Sequence, residues 1–226
     1  MLAMETEMKT QRITRGSRAL TLTELLVVIC VVAVVAVLIL PMLARTRTKD
    51  GRRSPCVENL KQIALASFVW AGDHGDKFPV QVSVTNWGAR ELALGGDVAG
   101  IFCTMSNELN SPKVLICPWD KKLTAASSFS TGFSDANISY FVGFDVELRN
   151  PRMILAGDDN LLVNGKPVQP GFLNLSTNVA VEWTMERHQG VGNFALADGS
   201  VQSLSNSSFT NKLQETGVAT NRLVIP

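Results

Sequence analysis

Residues 20–44 read LTLTELLVVICVVAVVAVLILPMLA, and the apolar stretch from Leu25 to Ala44 is broken only by Pro41 and preceded by one carboxylate, Glu24. About 20 helical residues span about 30 Å, the thickness of a bilayer's hydrocarbon core. A helix buried on one side in a water-soluble core keeps a polar stripe, and this run has none. The segment 20–44 is therefore expected to be a transmembrane helix, and the rest of the chain is what it carries.

The flanks refine this. Residues 1–19 are polar and basic, with Lys9, Arg12, Arg15 and Arg18 against Glu5 and Glu7, as in the charged front of an export signal. The small residues lie before the apolar run, at Gly16-Ser17 and Ala19, not after it. Arg45, Arg47, Lys49, Arg52 and Arg53 make the far flank at least as basic, so the loop-charge rule sets no orientation. The leader places the N-terminus in the cytoplasm and the remainder outside it.

Beyond the basic flank, Cys56, Leu60, Ile63, Ala64 and Ser67/Phe68 fall on one helical face. The segment 45–72 reads as a soluble helical half that stops at Gly72 and the turn Asp73-His74-Gly75-Asp76. Short β-like runs follow at Phe78–Val84, Val114–Cys117, Ile138–Phe144, Met153–Ala156, Val179–Trp183 and Asn193–Leu204, separated by turn residues such as Asn164-Gly165. In NFALADGSVQSL, Asp198-Gly199 suits a two-residue type I′ turn that sets Leu196 opposite Val201. The Ser/Thr-rich stretch 124–134 is expected to be a surface loop.

The run Ala19-Leu20-Thr21-Leu22-Thr23-Glu24-Leu25-Leu26 resembles the N-terminal signature of type IV prepilins and type II secretion pseudopilins. The resemblance implies cleavage between Ala19 and Leu20 and N-methylation of Leu20 by a prepilin peptidase. Ala19 and Leu20 stand where that family usually has Gly and Phe, and Thr23 where it has an aliphatic residue. Glu24 and Pro41 sit at the family's carboxylate and helix break, the residues implied in assembly. A bacterial pseudopilin-like subfamily has a similar CxxNL(K/R)Q helix, here at Cys56–Gln62. It also has a turn like Asp73–Pro79, a stretch like Ser111–Asp120, and an H-x9-DG motif, here His188 with Asp198-Gly199.

The implied fold is α+β and pilin-like: leader 1–19, membrane helix 20–44, amphipathic half 45–72, and an antiparallel β-rich periplasmic domain 73–226. The implied function is that of a non-enzymatic structural subunit of a secretion pseudopilus in the inner membrane. Its partners would be other copies of itself, further pseudopilins, the secretion platform, the peptidase and lipid. The alternative is a minor pilin or anchored adhesin. The family motifs contain Cys56 and Cys117, which makes their disulfide the preferred pairing, with Cys103–Cys117 as the other. No cofactor is implied, although some secretion pseudopilins bind calcium; Asp158, Asp159 and Asn160, and Asp73 with Asp76, are the candidate oxygen ligands.

Other chemistry has little support in the residues. His188 and Asp198 are a conceivable hydrolytic pair, but an Asp-Gly turn with a hydrogen-bonded histidine is the simpler expectation. Gly190–Ala195 mimics a dinucleotide fingerprint yet leads into a strand where the fingerprint follows one. No Cys/His spacing resembles a zinc site, and Cys30 lies inside the apolar run as a packing residue. The 21 basic and 20 acidic residues give a net charge of +1, with the basic excess near the apolar run and no nucleic-acid-binding face. The four tryptophans, Trp70, Trp87, Trp119 and Trp183, are expected at core or rim positions.

Overall fold

The computed structural model describes residues 21–45 and 54–226, with side chains at 21–37, 55–206 and 208–226. The chain divides into two compact units, 1–48 and 49–226. The first holds one described helix, α1 (Leu22–Arg45), whose backbone stays helical through Pro41. Leu25, Leu26, Val27, Val28 and Ile29 are all exposed; at 100° per residue these five successive positions encircle the helix. Among the described residues no helix is long and apolar enough to cross a membrane; the side chains of α1 are described over less than the span of about 20 residues that crossing requires. The cleavage-site residues Ala19 and Leu20, the side chain of Pro41, and residues 46–53 between the two expected helical halves all lie outside the described residues.

The second unit is α+β with antiparallel sheets. It opens with α2 (Ser54–Asp73), whose early Pro55 sits where a missing N–H costs nothing. The expected stripe is the buried face: Cys56, Leu60, Ile63, Ala64 and Ser67, extended by Trp70 and Ala71. The helix stops where Gly75 and Asp76 turn to positive φ.

Residues 78–84 and 114–117 are not strands. Pro79–Gln81, Val84–Asn86 and Pro112–Leu115 are 3-10 turns. In two of them a proline supplies the starting φ and removes a ladder donor. The Gln81 side chain then accepts from Phe78 N, and Ser111 Oγ from Lys113 N. Between them lie three short helices absent from the sequence expectation, α3 (Arg90–Gly95), α4 (Val98–Thr104) and α5 (Ser106–Leu109).

The main sheet takes β1 (Tyr140–Gly143), β2 (Ile154–Asp158), β5 (Gly171–Ser176), β7 (Val191–Leu196), β8 (Val201–Ser205) and β9 (Thr220–Ile225) in the order β5-β9-β1-β2-β7-β8, all antiparallel. A small sheet holds β3 (Leu161–Val163), β4 (Lys166–Pro167) and β6 (Val181–Trp183) in the order β4-β3-β6. Between β8 and β9 runs α6 (Asn206–Glu215).

Both faces of the main sheet are covered. Tyr140, Val142, Ala195, Ala197 and Val224 face the cluster under α2, while Phe141, Phe194, Leu196, Leu223 and Ile225 face Trp183, Phe209 and Leu213 on the other side. Successive side chains alternate between two apolar layers, so the central strands β1 and β2 are buried at every position.

The 198–199 hairpin forms with its register shifted by one residue. Gly199 N donates to Leu196 O, Leu196 N to Ser200 O, and Gly199 has φ +81°. This is a three-residue loop closed by a left-handed glycine, so Ala195, not Leu196, lies opposite Val201.

Candidate functional site

Four elements of the second unit converge beneath the first turn of α2. Cys56 comes from that turn, where the helix dipole favours negative charge. Cys117 follows the 3-10 turn at Pro112–Leu115. Tyr140 and Asp158 are directly paired across β1 and β2 and therefore share a face. His188 comes from the loop between β6 and β7, in which His188, Gln189 and Gly190 all have positive φ.

The Cys56 and Cys117 sulfurs and a ring nitrogen of His188 lie within 4.8 Å of one another. Cys117 Sγ is 3.2 Å from His188 Nε2, and Asp158 Oδ2 is 3.8 Å from the same nitrogen. The site is closed: Cys56, Cys117 and Asp158 are fully buried, and the His188 side chain is 1% exposed.

A supporting shell surrounds these groups. Asn193 donates to Asp158 Oδ2 from both N (2.8 Å) and Nδ2 (2.9 Å), while Asp158 Oδ1 is buried without a hydrogen-bond partner. Asn59 Nδ2 donates to Ile116 O and to the Tyr140 hydroxyl oxygen; the Tyr140 hydroxyl favours the thiolate form of Cys56, and the backbone N–H of Trp119 that of Cys117.

The electrostatics divide the thiol pair. A hydrogen bond from Cys56 pulls the Cys117 thiol down to about 5, with His188 adding to the effect, while that same bond and burial push Cys56 up. Burial lifts the Asp158 carboxyl to about 7. For His188, burial opposes the imidazolium, but the Cys117 hydrogen bond and the charge of Asp158 outweigh it and raise the pKa.

Beside this cluster Arg187 bridges two acids, with Nη2 2.5 Å from Asp120 Oδ2 and Nη1 2.5 Å from Asp159 Oδ1. Nη1 also donates to Ser139 O.

Several sequence candidates are placed differently from what their spacing suggested. His188 and Asp198 do not meet: Asp198 is exposed at the hairpin tip, where its Oδ1 accepts from Ser200 N. The Ser200 side chain, with its backbone N–H adding to it, holds the Asp198 carboxyl below the usual range. The hydrolytic pair is thus ruled out by placement, and Asp198→Ala should cost less than about 1 kcal/mol, the worth of one exposed turn hydrogen bond. A larger fall in the urea midpoint would show that the tip carries more than a turn.

The calcium candidates diverge. Asp158 faces the thiols, Asp159 pairs with Arg187, Asn160 Nδ2 donates to Thr184 Oγ1, and Asp73, the last residue of α2, and Asp76, in the turn after it, are both exposed. Cys56, Cys103 and Cys117 are free thiols: the first and third are neighbours, whereas Cys103 Sγ donates to Phe129 O. Trp70 and Trp183 are core residues, but Trp87 is 82% exposed.

A thiol beside an imidazole also occurs in cysteine hydrolases, which use the second ring nitrogen to orient the base and keep the sulfur accessible. Here the carboxylate approaches the nitrogen already facing the thiol, and the sulfur is sealed. The donor set suits ligation, not turnover. Comparison with family models, with curated proteins and with solved structures gave no match.

Proposed function

We propose that the chain is a structural subunit of a pilus-like filament in a bacterial envelope, of the type II secretion pseudopilin kind. The observation that carries this reading is α1, an apolar helix whose described residues Leu25–Ile29 are exposed all round. Such a helix is stable only when surrounded by lipid or by other apolar helices, and a subunit that moves from membrane to filament meets both needs. The globular unit, an α2-backed antiparallel sheet, then decorates the filament and selects partners.

Glu24 supplies the register. Its Oε2 accepts from Thr21 N and Thr21 Oγ1, each at 2.8 Å, which holds the carboxylate at the N-terminal end of α1. Cleavage before Leu20 places a new amine one residue from Thr21. At neutral pH an α-amino group, with an ordinary pKa of about 7.7–8.0, is mostly cationic. An unpaired charge near the end of an apolar stem costs less than the roughly 2.5–3.5 kcal/mol found at the bilayer centre, and a neighbour's amine offsets that cost. Pro41 removes one backbone donor and eases bending of the stem in the bundle.

The test is mass spectrometry of the N-terminal peptide from envelope-purified protein, together with cross-linking between copies. The expected results are an N-methylated Leu20, cross-linked ladders for the native chain, and loss of the ladders in Glu24→Ala with cleavage retained. An intact Met1 in a chain that never self-associates rejects the reading and leaves a plain anchored ectodomain.

A further inference from the structure

We propose that Cys56, Cys117, His188 and Asp158 form a closed structural zinc site that clamps the first turn of α2 to the main sheet. The inference concerns the globular unit alone and stands whether or not the chain enters a filament.

The donor atoms are already gathered. Two sulfurs and an imidazole nitrogen lie within 4.8 Å of one another, so a small inward shift brings them to the corners of a tetrahedron with arms of about 2.0–2.3 Å and edges of about 3.3–3.8 Å. The fourth ligand comes from beside that group of three: Asp158, whose Oδ2 lies 3.8 Å from His188 Nε2. Asp158 is fully buried, and its Oδ2 is engaged by Asn193 while Oδ1 has no hydrogen-bond partner. A buried carboxylate oxygen left bare costs free energy, and carboxylates kept in that state are usually paired or bound to metal.

A disulfide between Cys56 and Cys117 would satisfy neither Asp158 nor the imidazole beside it. A divalent ion would satisfy all four groups together. Two thiolates, one nitrogen and one carboxylate oxygen suit zinc; calcium and magnesium take all-oxygen shells. Burial with no open coordination position marks a structural site, not a catalytic one.

The outer contacts are those that zinc ligands use. The backbone N–H of Trp119 and the Tyr140 hydroxyl favour thiolate over thiol at Cys117 and Cys56, and Asn193 orients the carboxylate. His188 is held in the left-handed region, φ +47°, where few non-glycine residues settle without an overriding constraint. On binding, the protons shared among the two sulfurs and the imidazole leave to solvent, so that both sulfurs bind as thiolates and His188 as the neutral ring. The ion and its three anionic ligands then carry one net negative charge.

The test is the metal content of the full-length chain, purified in detergent under reducing conditions without chelator. About one zinc per chain is expected, falling at least tenfold in Cys117→Ser and in His188→Ala and unchanged in Cys103→Ser, whose sulfur lies outside the cluster. Chelation should lower Tm by several degrees, and added Zn2+ should restore it. Should either variant fail to fold, the native chain still decides: reconstitution with Co2+ should produce thiolate-to-cobalt charge-transfer absorption saturating at about one equivalent. Absence of zinc and of the cobalt band overturns the proposal, as does zinc retained at full stoichiometry in folded Cys117→Ser. A Cys56–Cys117 disulfide peptide in protein purified without reductant, with no bound zinc, overturns it in favour of the bridge.

Discussion

Arg187→Ala is expected to destabilise the globular unit by about 3–5 kcal/mol, the cost of leaving buried charge uncompensated. Arg187 is 12% exposed, and its two partners, Asp120 and Asp159, are 2% and 13% exposed. Its guanidinium fork reaches both acids and the Ser139 carbonyl at once; Asp120 Oδ2 also accepts from Ser139 Oγ. Removing the cation strands two carboxylates in a region of low polarity. Arg187→Lys should recover little, because a point charge on a flexible stem cannot bridge two acids with fixed geometry. The contrasting pair is Lys122 with Glu186, 74% and 62% exposed, where Lys122→Ala should cost less than about 1 kcal/mol despite a 2.6 Å separation. Urea unfolding at constant m-value checks both. Equal shifts for Arg187→Ala and Lys122→Ala would mean that the buried bridge is solvated after all.

Gly192→Ala should be nearly as damaging, by about 3 kcal/mol or more, at or above the upper end of the overpacking range. A Cβ there would lie 1.8 Å from Trp183 Cε2 and 2.1 Å from Nε1. The indole has nowhere to retreat, because Phe209 packs 4.2 Å from it and Phe194 stacks at 6.5 Å. Gly95 at the end of α3 has no atom within 4 Å of its Cβ position, so Gly95→Ala should be neutral or slightly stabilising. A smaller side chain at position 183 should recover part of the loss in a Gly192→Ala background. If the double variant is no better than the sum of the singles, the clash is not the cause. The glycines of the stretch 190–195 thus answer to backbone conformation and to an indole, not to a phosphate.

What was legible in the residues follows from range. The α2 stripe repeats within the helix, so Cys56, Leu60, Ile63 and Ala64 reveal its buried face unaided. The hairpin at Asp198-Gly199 is equally local, and only the extra loop residue, set by the left-handed Gly199, moved its register. In α6 only Phe209 and Leu213 are large apolar residues, and both are fully buried. Two such residues in a polar decapeptide are too few for a periodicity to register. Residues 79–115 carry apolar residues without a sustained period, and their prolines and side-chain caps turned an expected strand pattern into 3-10 turns and short helices.

The candidate site divides along the same line. His188, Cys56 and Cys117 could each be singled out as residues, but no close Cys/His spacing joined them, and Asp198 was the wrong acid to place beside His188. Asp158 joins them only because β1 and β2 pair Tyr140 with Asp158 and α2 lays its first turn over that end of the sheet.

By itself the sequence determined the apolar stem with its single carboxylate, the amphipathic helix after it, and a strand-rich remainder, because these are signals of composition and short period. Only the tertiary structure decided which thiols, ring and acid share one closed chamber, and that Arg187 holds two acids beside it. Those partners are far apart along the chain, and long-range packing carries no periodic mark in the order of residues.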